Sequence, residues 1–255
     1  MALRLMTYNI LDGGAGREDY ILQVLQTVRP DVAVLQEVFH VGFVQDLANA
    51  LNMEFFFAEG NSKRHLALLS RRPIVSPQSY RPFPPIQRTV LEAEIEYSPN
   101  KRFRLFGVHL VAWYSVLLEL WRQWEIKVIV KRANLRDSQP CVILGDFNTI
   151  APQDKLTVSA MPLYLRLMIL SQGQRVFRFA IGEMLSAGFT DCFRVLHPDQ
   201  DGFTLPPPIP NARLDYIFVN NPMKAYLRQC FVVREPSVVQ KASDHYPVVA
   251  DFQVE

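Results

Sequence analysis

The segment VLEAEIEYSPNKRFRLFGVHL, residues 90–110, reads as a β-hairpin. Leu91, Ala93, Ile95 and Tyr97 alternate with Glu92, Glu94 and Glu96, the period-two pattern of a strand with one buried face. Ser98-Pro99-Asn100 interrupts the run as a turn, and Arg102–Leu110 returns beside it. Tight hairpins are antiparallel. One hairpin among helices and continuous apolar runs excludes a purely parallel α/β sheet and predicts mixed sheets.

The same periodicities recur on either side. Leu3–Asn9, Asp31–Glu37, His65–Ser70, Cys141–Asp146, Leu214–Val219 and Val248–Phe252 read as strands, and Asp31–Glu37 is apolar enough to be buried on both faces. Glu18–Val28, Val41–Leu51, Trp113–Asn134, Leu163–Leu170 and Arg178–Ala187 read as helices, the first with Ile21, Leu22, Leu25 and Val28 at helical spacing. No repeat of fixed period is present. Gly13-Gly14-Ala15-Gly16 lacks the Lys-Ser/Thr of a P-loop and reads as a flexible loop. Leu205-Pro206-Pro207-Pro208-Ile209-Pro210 reads as a stiff rim loop leading to Arg213.

Half of the residues are hydrophobic, with 17 Phe and 9 Tyr, enough for a large core. A net charge of +2 is too mild to argue for a surface that coats nucleic acid. Lys101, Arg102 and Arg104, and Lys127, Lys131, Arg132 and Arg136, read as solvated faces of the hairpin and of a helix. Cys141, Cys192 and Cys230 are odd in number and far apart, without a CxxC, which argues against disulfides and zinc. Free thiols fit a reducing compartment. The opening MALRLMTYNIL lacks the pattern of a signal peptide, so a cytoplasmic protein is expected. The apolar stretch Leu105–Trp121, broken by His109 and Glu119, reads as a strand running into a helix rather than a membrane span.

Six short motifs carry the chemistry: Thr7-Tyr8-Asn9-Ile10, Leu35-Gln36-Glu37-Val38, Gly107-Val108-His109-Leu110, Gly145-Asp146-Phe147-Asn148, Arg213-Leu214-Asp215-Tyr216 and Ser243-Asp244-His245-Tyr246-Pro247-Val248. Asn9 and His245 can share a site only if residues 1–255 fold as one domain. Glu37 ends a buried run, so its carboxylate must be paired, protonated or metal-bound. Asp146 ends another, after a glycine that allows close approach to the backbone. Asn148 stands two residues on, on the same side as Asp146 if the chain stays extended, and its amide can donate to a phosphate oxygen. Alone, the pair also fits a turn. Asp244 and His245 are adjacent, so on a strand one can face a metal and the other a substrate. His245 exchanges protons near neutrality, and Asp215 is the candidate to orient its far nitrogen. Carboxylate and amide oxygens suit Mg²⁺ or Mn²⁺ over Zn²⁺, and Mg²⁺ in turn suggests a phosphate ester substrate.

Taken in this order, the motifs resemble those of the endonuclease/exonuclease/phosphatase superfamily, the DNase I-like fold, over essentially the whole chain. The resemblance implies a four-layered α/β/β/α sandwich of two mixed sheets flanked by helices, with the site at one rim. It implies that Glu37 is the principal Mg²⁺ ligand, with Asn9 beside it and Asp244 near the metal. It gives Asp146 the attacking water or the leaving group, and gives Asn148 and His109 the phosphate oxygens. His245, paired with Asp215, would bind phosphate and move a proton. Leu11, Phe147 and Tyr216 depart from the abasic-site endonuclease, tyrosyl-DNA phosphodiesterase and inositol-polyphosphate phosphatase patterns, and the chain looks more like a broad bacterial group with Gly-Asp-Phe-Asn-Thr.

The expected activity is Mg²⁺-dependent, nuclease-like hydrolysis of a phosphodiester by in-line attack of water, with nucleic acid as partner. A lipid phosphodiesterase of sphingomyelinase type acting on phospholipid, a phosphomonoesterase and, more remotely, a non-catalytic interaction module are the alternatives. Trp113, Tyr114, Leu117, Leu118, Trp121 and Trp124, with the apolar Met161–Leu170, would form a peripheral membrane contact if exposed, or helix faces covering a sheet if not. A monomer is expected.

Overall fold

The computed structural model describes residues 1–60, 62–81, 89–136, 138–205 and 212–254. In chain order its strands are β1 (Ala2–Asn9), β2 (Val32–Val38), β3 (Glu54–Ala58), β4 (His65–Ser70), β5 (Ile74–Tyr80), β6 (Val90–Ser98), β7 (Lys101–His109), β8 (Cys141–Asp146), β9 (Thr190–Asp191), β10 (Asp215–Val219), β11 (Leu227–Val232) and β12 (Val248–Gln253). The helices are α1 (Glu18–Val28), α2 (Val41–Leu51), α3 (Val116–Ala133), α4 (Leu163–Ser171), α5 (Phe179–Ser186) and three shorter ones, α6 (Cys192–Leu196), α7 (Asn221–Lys224) and α8 (Val238–Ala242).

Two six-stranded sheets form, ordered β11-β12-β1-β2-β4-β3 and β5-β6-β7-β8-β10-β9. Each contains one parallel pair, β1 with β2 and β7 with β8; the other neighbours are antiparallel. Leu5, Val34, Leu68 and Phe252 of the first sheet pack against Leu91, Leu105, Leu144 and Ile217 of the second. The opposite faces are covered by helices: Met6 and Leu35 by α1 and α2, Phe106 and Ile143 by α3 and α5. This is the expected α/β/β/α sandwich, held by apolar side chains that alternate along each strand. At Gly107 the sheets pack closely, because a Cβ there would stand 2.8 Å from Val34 Cγ1.

The hairpin forms as predicted, with Glu96 opposite Arg102 and Glu94 opposite Arg104. Its basic residues are not merely solvated. Arg104 is buried, donates to Glu92 Oε1 at 2.7 Å and to Ala133 O at 2.8 Å, while Arg132 of α3 bonds the same glutamate. Arg102 and Arg136 pair with Glu96 and Glu94. The acidic face of β6 thus pairs with the arginines of both basic clusters. Gly13 and Gly14 form a packed 3-10 turn rather than a flexible loop: a Cβ on Gly13 would stand 2.6 Å from the Phe39 ring. The proline loop from Pro206 to Pro210 lies outside the described residues.

The N-terminal half of α3 is inverted. Glu119, Arg122 and Glu125 point inward, at 1%, 1% and 2% exposure, while Leu117 and Leu120 point outward at 74% and 47%. Burying Glu119 and Arg122 is possible because their polar atoms are satisfied. Glu119 accepts from Arg122 Nε at 2.9 Å, Thr149 Oγ1 at 2.8 Å and Ala180 N at 2.9 Å. Arg122 Nη1 donates to Val111 O at 2.6 Å and Trp113 O at 3.0 Å. The pair ties α3 to the loops on both sides. No helix among the described residues is long and apolar enough to cross a membrane. Removing one partner of a satisfied buried pair leaves an uncompensated charge, so Glu119→Ala should cost about 3–5 kcal/mol in urea unfolding. Leu117→Ser should stay within about 0.5 kcal/mol of the parent.

Candidate active site

Both parallel pairs end at the same rim. Asn9 is the last residue of β1, His109 of β7 and Asp146 of β8, and Glu37 is next to last in β2. Asp215 opens β10, which runs antiparallel to β8, so it meets Asp146 in register. His109 meets Asp146 from the other side. His245 lies just ahead of β12, at the same end. The strand directions therefore deliver six distant residues to one edge.

Local backbone geometry aims them. Glu37 sits in a bulge of β2 with φ +63°, which turns its side chain out of the alternation. Gly145 has φ +152°, and a Cβ there would stand 1.9 Å from Val108 O, so only glycine lets β8 lie this close to β7 ahead of Asp146. The buried Arg213 fixes the start of β10 through Asp154 and Asp191, at 2.6–3.2 Å, and its guanidinium lies 4.4 Å from the Tyr216 ring centroid. Ser243 donates to Asn9 O at 2.6 Å and accepts from His245 N at 3.2 Å, tying the histidine to β1.

Asp146 bridges the sheets. Its Oδ2 accepts from Asn9 Nδ2 at 3.0 Å and from Asn148 Nδ2 at 3.0 Å, and its Oδ1 accepts from Asn148 N at 2.9 Å. Burial, then the charge of Asp215, pushes its carboxyl up to about 7, against the pull of His245 and the amide donors. Asp215 Oδ2 lies 2.8 Å from His245 Nδ1, as expected from the sequence. Its Oδ1 is buried without a partner among the described residues. Burial lowers the His245 pKa, but the charge and hydrogen bond of Asp215, with Asp146 and Asp244 behind them, outweigh it and raise the imidazole to about 10. His109 Nε2 stands 3.6 Å from Asp146 Oδ2 and 3.7 Å from Glu37 Oε1.

Two placements differ from the expected ones. Asn148 does not continue a strand: with φ +50° it closes an Asx turn on Asp146, and its amide donates to Leu110 O and Asp146 rather than outward. Asp244 and His245 lie in a bend, not a strand, yet the first is exposed and the second buried. Glu37 is held by Arg64 Nε at 3.0 Å and by Asp12 N at 2.9 Å, and Arg64 also reaches Asp12 at 2.6 Å. Arg64 and Asp12 escaped the sequence reading because neither closes an apolar run.

Asp146, Asp215 and His245 offer three atoms within 4.8 Å of one another, a cluster that could hold a metal ion. It differs from the Asn9, Glu37 and Asp244 set expected from the sequence. Asp215 already occupies one imidazole nitrogen of His245, and a cationic imidazole has no lone pair for a metal, which favours a proton-handling role for that trio. The orphan Asp215 Oδ1 and the raised carboxyl of Asp146 mark an excess of buried negative charge. A hard divalent cation beside the carboxylates fits that donor set.

A family profile described as the Endonuclease/Exonuclease/phosphatase family matches residues 6–245. A search of curated protein sequences returned no match. Among solved structures, an AP endonuclease from Archaeoglobus fulgidus is similar at TM-score 0.78 and 19% identity, covering 99% of this chain and 100% of its own. A 3' phosphatase from Neisseria bound to product DNA hairpin is similar at TM-score 0.76 and 20% identity, over 99% and 100%. TDP2 from D. rerio complexed with single-strand DNA product is similar at TM-score 0.71 and 17% identity, over 99% of each chain. At these identities the likeness is one of fold. Gly145→Ala, with its Cβ against the Val108 carbonyl, should lower stability by more than about 3 kcal/mol in urea unfolding, far beyond the usual cost of an alanine in a strand.

Proposed function

The chain belongs to the Endonuclease/Exonuclease/phosphatase family, whose members are hydrolases acting on phosphate ester bonds, and on that premise we propose a Mg²⁺-dependent phosphodiesterase. One observation carries the reading: the Asp215–His245 pair, at 2.8 Å, stands beside a buried Asp146 raised to about 7. A carboxyl poised near neutrality suits a general base, and a carboxylate-held imidazolium suits an anion. Asp146 takes the proton of the water that attacks phosphorus in line with the leaving oxygen. His245, kept cationic by Asp215, holds a non-bridging oxygen as its charge grows. His109, between Asp146 and Glu37, takes a second oxygen. Asn9 and Asn148 fix the Asp146 carboxylate through three N–H groups, so Asn148 acts through Asp146 in place of the phosphate contact expected from the sequence.

Glu37 and Asn9, with Asp244 on the open side, would hold the cation. Mg²⁺, or Mn²⁺ in its place, supplies Lewis-acid neutralisation of phosphoryl charge when bound. Positioning and electrostatics account for most of such an acceleration. Nucleic-acid strands, bound as product DNA in two of the similar structures, are the first substrate class to test, and phospholipid headgroups the second.

The test is hydrolysis of plasmid DNA, single-stranded oligonucleotide, phospholipid vesicles and bis-(p-nitrophenyl) phosphate with Mg²⁺, Mn²⁺ or EDTA. Turnover should vanish in EDTA, and Asp146→Asn should lower it by about 10²- to 10⁴-fold with the fold retained by circular dichroism. Turnover on any of these that persists in EDTA, or survives Asp146→Asn unchanged, would refute the proposal.

A further inference from the structure

The inverted half of α3 and the surface of α4 form one apolar lobe beside the site. Trp113, Leu117, Leu120, Leu163, Leu167 and Leu170 all stand exposed there, from 47% to 74%. The Trp113 and Tyr164 rings meet at 5.8 Å, and Gln172 clips the lobe together by accepting from Val116 N at 2.8 Å and donating to Tyr114 O at 2.7 Å. Trp113 has φ +84°, a conformation that bulky residues avoid, and Arg122 holds its carbonyl from inside. Buried charge here keeps a tryptophan turned toward solvent. Tyr114 packs against the cluster of Ile150, Ala212 and Leu214, next to Asp215, so the lobe adjoins the catalytic rim.

The charge on the lobe is one-sided. Residues 155–182 contain no Asp or Glu, and the two carboxylates in 111–136, Glu119 and Glu125, are buried. Arg166 and Arg175 are exposed and form no ion pair among the described residues. Arg166 also borders a groove of about 310 Å³ on α4 whose walls include Val158, Leu163, Leu167 and Leu170. An apolar surface studded with unpaired cations matches the headgroup–acyl boundary of an anionic bilayer. A second copy does not match it, because a self-complementary contact would set these arginines together with no carboxylate between them.

We propose that the Trp113 turn, the outer face of α3 and α4 dock the protein on anionic phospholipid membranes, with the apolar side chains in the acyl boundary and Arg166 and Arg175 at the phosphates. The catalytic rim then lies at headgroup level. The inference rests on the phosphodiesterase reading for one step only, that the substrate is a headgroup phosphodiester.

The test is co-sedimentation of the full chain, in EDTA, with vesicles of phosphatidylcholine alone and of an equimolar mixture with phosphatidylserine. Binding to the mixed vesicles with a blue shift of tryptophan emission is expected. The Leu117→Glu, Leu167→Glu double variant should bind at least about tenfold more weakly, since charged residues are expelled from the acyl boundary. Arg166→Glu with Arg175→Glu should abolish the preference for phosphatidylserine. Both double variants should keep turnover on bis-(p-nitrophenyl) phosphate, which separates docking from chemistry. Absent binding, or Leu117→Glu, Leu167→Glu binding like the parent, would overturn docking whatever the turnover assay reads. Self-association of the parent that the same variant dissolves would assign the lobe to a second copy instead. Binding without headgroup release, with bis-(p-nitrophenyl) phosphate still cleaved, would keep docking and refute the headgroup substrate.

Discussion

Asp146 and Asp215 face each other across adjacent strands, both removed from water. Two buried carboxylates in register repel one another, and that repulsion organises the rim around them. His245 compensates from the end of the neighbouring sheet. Asn9 reaches across from β1, and Asn148 folds its turn back to offer two more N–H groups. Arg213 fixes the start of β10, which keeps Asp215 from retreating. Each sheet contributes a half-site whose charge balance requires the other, so the face-to-face packing and the site are one structural problem.

Much of this was legible in the sequence for a simple reason. Strands buried on both faces must be apolar, so a polar residue closing such a run stands out, as Glu37, His109 and Asp146 do. The edge strands gave no such signal. β5 contains Pro77 and Ser76, the latter with φ +47° in a bulge, and β9 has only two residues. β3 follows α2 after a short turn, and β11 places Arg228 and Gln229 side by side. Edge strands answer to one neighbour and to solvent, which weakens the demand on composition. Asn148 misled because an Asx turn and an extended strand are both open to Asp-x-Asn. Arg64 was invisible because its loop carries no periodic pattern.

Helix α3 shows where pattern reading is weakest. Hydrophobic spacing names an apolar face and assumes that it turns inward. In α3 the Glu119–Arg122 pair takes the inward side, where it satisfies the carbonyls of Val111 and Trp113 and the N–H of Ala180. The satisfaction of buried backbone groups, not hydrophobicity, decides the orientation of this segment.

The pairing of β1 with β12 has a consequence for synthesis. β12 lies between β11 and β1, and His245 is bound to the backbone of Asn9 through Ser243. A ribosome delivers Asn9 long before His245. Until then β1 lacks its antiparallel neighbour, and Asp215 faces no imidazole. A nascent polypeptide that stops short of Asp244 therefore carries Glu37, Asp146 and Asp215 without the imidazole that pairs with Asp215. Closure of the first sheet by β12 and the pairing of Asp215 with His245 thus come from one stretch of chain, and a chain that stops before it has neither.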